Sequence, residues 1–469
     1  MSAANASSPS TGAPTGGARR LGGNAFFFII VTVFIDMMAF AVVMPSMPYL
    51  MAELINGEPA LAAARVLAAD GDKLPLEAML SEAAPWGGYI TMVYAVMNFL
   101  SAPILGGLSD RFGRRPVLLL SIGTLAIDFL IMGLAHTIWL LFLGRVLSGI
   151  SGATHSTAAA YIADVTEPQK RAQAFGMLGA AFGLGFILGP AIGGFLGQFD
   201  PRYPFFASAA LAAINFCYGL FVLPESLDRE HRRRFDWKRA NAFGTFAHLA
   251  KVPYLAWFML ALGLFQFSHW VYPATFGYYA GVNFGWGEGM IGLALMVVGI
   301  GSAVVQGALI GPIIKRFGPT NTAVFGFLVC VVTFAAYAGA TEGWMVYLII
   351  PFGALGGVLG PAMNQIMSVR TPKNAQGELQ GALASVQALA NMFAPLAMTQ
   401  AFAYFTAPSA PAFFPGAAFA LAAVFCAISL LPLMRGLATA PKVEDQTADP
   451  PAEAAPATDP AAAPAVQSA

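Results

Sequence analysis

Charge is what this sequence has least of. Only 10% of its 469 residues are Asp, Glu, Lys or Arg, whereas soluble domains carry roughly a quarter. Hydrophobic residues make up 57% and the mean hydropathy is +0.67. No water-soluble core hides so much apolar side chain, so the solvent of this chain is lipid. Cysteine is nearly absent. Cys217, Cys330 and Cys426 stand far apart in apolar runs, which excludes a disulfide framework and reads as small core filling. The five histidines form no metal-ligand spacing with cysteine or carboxylate, and no nucleophile sits beside a base. The pattern is therefore not that of an enzyme or a metal protein. The 24 basic and 24 acidic residues cancel, so the sum of charge predicts no partner.

What is present is long apolar runs. A helix needs roughly 20 apolar residues to cross the hydrocarbon, and the chain reads as twelve such spans: 24–50, 86–107, 116–135, 138–163, 172–197, 204–223, 253–280, 289–314, 320–340, 343–368, 378–406 and 412–434. The expected fold is an all-α membrane protein of two six-helix pseudo-repeats. Its parts are a disordered tail 1–22, a bundle 23–223, a linker 224–252, a second bundle 253–434 and a disordered tail 435–469. Arg19 and Arg20 before an apolar run resemble an export signal, but the run continues to about Leu50 and is too long for one. Of the 24 Lys and Arg residues, 20 fall on the side that holds both ends. The positive-inside rule places that side in the cytoplasm. The linker stretch "LDREHRRRFDWKRANAF", Leu227 to Phe243, is the densest basic segment. Orientation and anionic lipid account for it, and no nucleic-acid partner is expected. The outer loop from Met51 to Pro85 is long, acidic and Ala-rich, and yields no function.

Two charged turns interrupt the apolar runs. "GGLSDRFGRRPVLLLS", Gly106 to Ser121, is echoed by "GPIIKRFGPTNTAVFG", Gly311 to Gly326, with Lys315 where the first copy has Asp110. Arg111 and Arg316 are 205 residues apart, and the same offset carries Pro190 onto Pro395 and Gly176 onto Gly381. A repeated six-helix unit follows, an architecture whose substrate site lies between the halves at mid-membrane.

Three ionisable residues lie deep in spans: Asp36, Asp128 and Arg145. A charge at the bilayer centre costs about 2.5–3.5 kcal/mol even on lenient scales, so each needs a partner or a wet cavity. Burial and a nearby arginine act in opposite senses on a carboxyl group. Asp36 is therefore a candidate proton acceptor; the other reading is a permanent Asp–Arg pair that only ties helices together. Asp128 and Arg145 carry the same two readings. The second half has no acid inside a span, since Glu288, Glu342 and Glu378 fall at helix ends. It offers neutral polar groups instead: Gln266, His269 and Trp270, Asn364 and Gln365, Gln387 and Asn391. With Asn98 in the first half these are candidate substrate contacts, and interhelical hydrogen bonding is the alternative for each. His155 is a weaker candidate of the same kind. "GLGFILGPAIGG", Gly183 to Gly194, places Gly185, Gly189, Pro190, Gly193 and Gly194 in one span. Small residues let helices approach closely and the proline removes a backbone donor. This helix is either a hinge and seal between halves or a tightly packed one.

These residues carry a family resemblance. "GGLSDRFGRR" resembles the loop 2–3 motif of the major facilitator superfamily, "LGRVLSGISGA" its helix 4 motif and "GFILGPAIGG" the helix 5 motif of its drug antiporters. Together with "AAYIADVT" and "GELQGALASVQAL" they are most similar to the tetracycline/proton antiporter branch. The resemblance implies proton-driven export of an amphipathic drug-like compound by alternating access, with Asp36, Asp128 and Arg145 in proton coupling. A symporter importing a small metabolite on the same fold is the second reading, and a non-transporting receptor the third. The partners implied are a small-molecule substrate, protons and the lipid bilayer, around a monomer in a bacterial inner membrane. No cofactor is implied beyond the coupling proton, and a metal-chelated substrate stays open. The loop motif Gly106, Asp110, Arg111, Gly113, Arg114 and Arg115 is expected to act as a cytoplasmic latch. Asp110 would meet the helix N-terminus near Gly377, where the half-positive dipole favours an anion, and Arg111 or Arg114 would pair with Asp164.

Overall fold

The computed structural model describes residues 23–152, 154–227, 229–232, 253–372 and 375–440. Residues 435–439 of the expected tail 435–469 continue the last helix, whereas the expected tail 1–22, residues 441–469 and most of the linker 224–252 lie outside the described residues. So does the side chain of His155. The described chain is helical: α1 Gly23–Val42, α2 Met47–Asn56, α3 Glu58–Ala69, α4 Leu74–Phe112, α5 Arg114–Gly133, α6 Ile138–Ser151, α7 Thr154–Val165, α8 Arg171–Gly197 and α9 Tyr203–Val222 form the first part. The second contains α10 Pro253–His269, α11 Val271–Phe284, α12 Glu288–Val304, α13 Ile310–Gly339, α14 Gly343–Leu355, α15 Leu359–Val369, α16 Gln376–Thr406 and α17 Ala417–Thr439.

Among the described residues nine helical stretches are long and apolar enough to cross a membrane, or ten if the bent pair α1–α2 is one span. The difference from twelve runs has local causes. The stretch Glu288–Gly339 counts once, yet Gly318 breaks it with φ +76° and Pro319 follows. That break falls between the eighth and ninth predicted spans. The fourth predicted span is divided at Gly152 into α6 and α7, each short. The first is bent by 44° at the Val43–Ser46 turn around Pro45. The seventh is interrupted at Trp270, before Pro273.

The outer loop 51–85 is itself helical. It forms the end of α2, all of α3 and the first turns of α4. At 1.5 Å per residue α4 is about 58 Å long, so its 39 residues overrun a 30 Å hydrocarbon layer by several turns.

Helix pairings repeat along the chain. In the first part α1 packs on α8 and α9, α4 on α6, and α5 on α9; in the second α10 packs on α16 and α17, α12 on α14, and α13 on α17. Three crossings join the parts, α8 with α12, α4 with α16 and α4 with α11, and α2 adds a smaller contact with α11. Glycine makes the close approaches. A Cβ at Gly185, Gly189 or Gly193 would strike the α1 backbone near Phe34, Met38 and Val42. One at Gly292 would strike the Pro190 carbonyl and Gly194, and one at Gly299 would meet Ile187. α8 runs unbroken through Pro190, so these glycines serve close packing against α1 and α12.

The crossings close only at one end. Toward the basic turns, a Cβ at Gly176, Gly179 or Gly183 of α8, or at Gly307 and Gly311 of the facing stretch, meets open space. On the other pair, Gly88 touches Thr399 and Leu396, while Gly106 and Gly377 are open. The two parts therefore diverge toward the basic end. Gly193→Leu is expected to cost 1–3 kcal/mol through overpacking against Val42 and Gly179→Ala to be neutral or slightly stabilising; thermal unfolding of the purified protein in detergent checks both.

Candidate functional site

Gly113 ends α4 with φ +111°, a backbone only glycine adopts freely, and its missing Cβ leaves room for the Glu225 carboxylate. Glu225 accepts the backbone N–H of Arg114 (2.8 Å) and Arg115 (3.2 Å), two of the free donors at the start of α5. Arg114 then reaches three ways: to Asp110 at 2.5 Å, to Asp164 Oδ2 at 3.2 Å and to Ser109 Oγ at 2.7 Å. Arg115 donates to the Leu220 carbonyl, and Arg111 stacks on Phe112. The motif thus ties α4, α5, α7 and the segment after α9 into one knot. Asp110 pairs with Arg114 here, and Gly377 at the start of α16 faces open space. In the second copy Gly318 has the same positive φ but nothing within reach of a Cβ. It keeps the turn without the knot. Glu225 and Ser109 were missed in the sequence; Glu225 lies 112 residues from Gly113, with no local signal.

Asp128 and Arg145 pair directly, and both are buried. A Cβ at Gly144 would strike Asp128 Oδ1, so this glycine admits the carboxylate to α6. Ser148 lies beside the same carboxylate, and the Arg145 guanidinium sits over the rings of Tyr94 (5.5 Å) and Phe129 (5.8 Å). Arg145 is therefore held by Asp128 and aromatic faces. Asp36 is different. It lies mid-way along α1 and is only partly buried, and its Oδ1 is enclosed without a hydrogen-bond partner among the described residues. Asp128 is neutralised by its neighbour, whereas Asp36 has no ion-pair partner among the described residues. Tyr94 is a further residue that sequence reading passed over, because an aromatic in an apolar run looks like any other.

In the second part a cavity of about 180 Å³ is lined by Gln266, His269 and Tyr272 on one side, by Thr333 and Cys330 on another, and by glycines 353, 356, 357 and 360. His269 packs edge-on to Tyr272 at 5.4 Å. Lining glycines leave one wall bare of side chains. A wider opening at the basic end shares Gly360 and is lined by Asn364, Gln365, Ser368 and Gln380, with Gln380 bonded to Asn364 at 3.1 Å. Trp270 donates its indole N–H to Asn391, which fixes α10 against α16. Gln387 is exposed one turn away. Asn98 donates to the Gly152 carbonyl at 2.7 Å, filling the acceptor freed where α6 breaks. The expectation that all three cysteines are core fillers needs correction. Cys217 is exposed. Cys330 and Cys426 are buried side by side between α13 and α17, with the Cys426 thiol 3.8 Å from the Phe327 carbonyl.

Residues 29–395 match the Major Facilitator Superfamily. The chain belongs to that family. It is 35% identical over 380 residues to the tetracycline resistance protein, class C, of Escherichia coli, covering 81% of this chain and 90% of that one. Two solved structures share the fold. The human organic anion transporter MFSD10 has a TM-score of 0.62 at 21% identity, covering 88% of this chain and 99% of that chain. A D-xylose-proton symporter has a TM-score of 0.66 at 16% identity, covering 90% and 99%. The chain is a multi-pass membrane transporter and not an enzyme.

Breaking a buried ion pair from one side leaves an uncompensated charge, at about 3–5 kcal/mol. Arg145→Leu is expected to lower the stability of this transporter by that amount, and Asp128→Leu added to it to recover a large part. Unfolding midpoints of the single and double variants in detergent test the coupling.

Proposed function

We propose that this transporter is a proton-driven exporter of an amphipathic, drug-like compound of the tetracycline class, built from twelve spans in two six-helix halves, 23–223 and 253–434. The observation that carries this reading is the contrast between Asp128, paired with Arg145, and Asp36, which has no ion-pair partner among the described residues. A carboxyl group with no fixed countercharge inside the membrane is free to take up and release a proton as its surroundings change. The relatives named tetracycline resistance proteins supply the substrate class. The sequence puts 20 of the 24 basic residues on the side of the predicted topology that holds the charged turns, so positive-inside orientation makes the diverging end, where those turns lie, cytoplasmic, and the molecule is poised to load from the inside. Substrate enters past Asn364 and Gln365 and meets Gln266 and His269. Asn391 and Trp270 hold the helix break behind them, and Gln387 adds a free amide. A proton taken up by Asp36 on the outer side drives the return step. The knot at Gly113 is the latch of the opposite state: when the cytoplasmic ends close, Asp110 is presented to the α16 N-terminus at Gly377, with Arg114 still anchored on Asp164.

Inside-out vesicles acidified internally are expected to accumulate a tetracycline in a protonophore-sensitive manner. Asp36→Asn reduces this to background at unchanged membrane insertion. Gradient-driven loss of the compound from the same vesicles would instead establish import, and no gradient-dependent flux would remove the transport reading of this site. Asp110→Asn is expected to slow transport by about tenfold or more, the equivalent of one lost charge-assisted contact, with the same insertion.

A further inference from the structure

The segment 51–85 builds a contact that the reading above does not use. Its helix α3 carries Arg65, whose guanidinium pairs with Glu288, the first residue of α12. Glu288 is 2% exposed, and Arg65 is its ion-pair partner among the described residues. The pair links the first part of the chain to the second at the end opposite the basic turns. Three further contacts converge on it. Arg65 lies over the Tyr49 ring at 4.8 Å. The Tyr49 hydroxyl donates to the Trp286 carbonyl, two residues before Glu288. The Lys73 stem lies against Gly285, where φ is +68°. Behind Glu288, Gly197 of α8 leaves space for its side chain, since a Cβ there would meet Glu288 Cβ and Cγ at 3.0 Å. Glu53 and Arg202 pair with each other at 2.7 Å within the first part, and Asp200, whose charge acts on Glu288, accepts the Arg202 backbone N–H at 2.7 Å.

We propose that Arg65 and Glu288 form the outer gate of this transporter, a removable ion pair between its two parts, carried by a cap helix inserted between the first two spans. The inference rests on the alternating-access reading above. Its logic is energetic. The α8–α12 and α4–α16 crossings close the outer end by glycine packing that is dispersive and short-ranged. The ion pair adds a contact that is strong when the gate is shut and dry. When the gate opens, water hydrates both partners and offsets most of its loss. Such a pair sets the balance between the two facing states without holding either permanently. It also gives the second half a buried acid, at the helix end rather than inside a span.

The test is outside access to the cavity. A reporter thiol is placed at Gly357→Cys, where a Cβ meets only Val305 at 3.9 Å, in a chain whose Cys217, Cys330 and Cys426 are changed to alanine. Intact cells are treated with a membrane-impermeant maleimide. Glu288→Gln and Arg65→Gln are each expected to raise the labelling rate by about tenfold, the shift that loss of a 1.4 kcal/mol inter-part contact gives. The exchange Arg65→Glu with Glu288→Arg is expected to return it to the parent rate. Arg65 is partly exposed, so its variant folds even where Glu288→Gln does not. Unchanged labelling in a folded Arg65→Gln protein overturns the proposal. Raised labelling in both single variants that the exchange leaves raised also overturns it, because packing rather than charge then closes the end. The labelling needs no substrate or gradient, so it fails separately from vesicle transport.

Discussion

Hydrocarbon tolerates no unpaired charge, and the placement of every ionisable group in this protein follows from that. A charged side chain in the bilayer interior must find a partner, a cavity or an end of a span. Asp128 and Arg145 take the first solution inside one pair of helices. Arg114, Asp110, Asp164 and Glu225 take the third, gathered at the basic end around a single glycine turn. Arg65 and Glu288 take it at the other end, across the two parts. Asp36 has no ion-pair partner among the described residues, and its Oδ1 is enclosed without a hydrogen-bond partner.

The same exclusion dictates how helices meet. In lipid there is no hydrophobic force between two apolar helices, so contact depends on close packing. Glycines 185, 189 and 193 recur every fourth residue along one face of α8 and sit on the α1 backbone. Gly194 belongs to the adjoining face and meets Gly292. One helix thereby grips its own part along its length and the other part at one end only. On that second face Gly183, Gly179 and Gly176 continue toward the basic end, where a Cβ meets open space.

Much of this was legible before the structure. Span positions, both charged turns and the intramembrane charges follow from local composition, because lipid punishes exceptions strongly and locally. The turns at Gly113 and Gly318 are marked by the repeated Arg-Phe-Gly, and both take positive φ. What was not legible lies in pairings across the chain. Glu288 looked like an ordinary acid at a helix start, a place where the dipole alone would justify it. Its partner is 223 residues away, in an Ala-rich stretch whose low hydropathy hid its helices. Asn98 read as a candidate substrate contact or an interhelical hydrogen bond, and it donates to the Gly152 carbonyl where α6 breaks. Breaks inside α6–α7 and α10–α11 were equally hidden, since a Gly or an aromatic inside an apolar run has no fixed meaning until a neighbour supplies one. Cys330 and Cys426 are 96 positions apart and touch only because α13 packs on α17.

The two ends of the molecule are built on different principles, and the difference has a direction. The knot at the basic end is internal to the first part: Glu225, Arg114 and Asp164 stay together whichever way the parts lean, and only Asp110 has a side free to reach across. The contact at the other end is wholly between parts, and it has no internal substitute when broken. Opening that end therefore separates Arg65 from Glu288 outright, whereas closing the basic end adds a contact to a preformed scaffold. A molecule arranged this way rests with the basic end open, which is the state in which its cavity opens past Asn364 and Gln365. Leaving that state requires energy from outside the fold. A ligand supplies it only by favouring the other facing state. The one-sided knot and the two-part ion pair are thus unequal contacts, one internal to the first part and one between the parts.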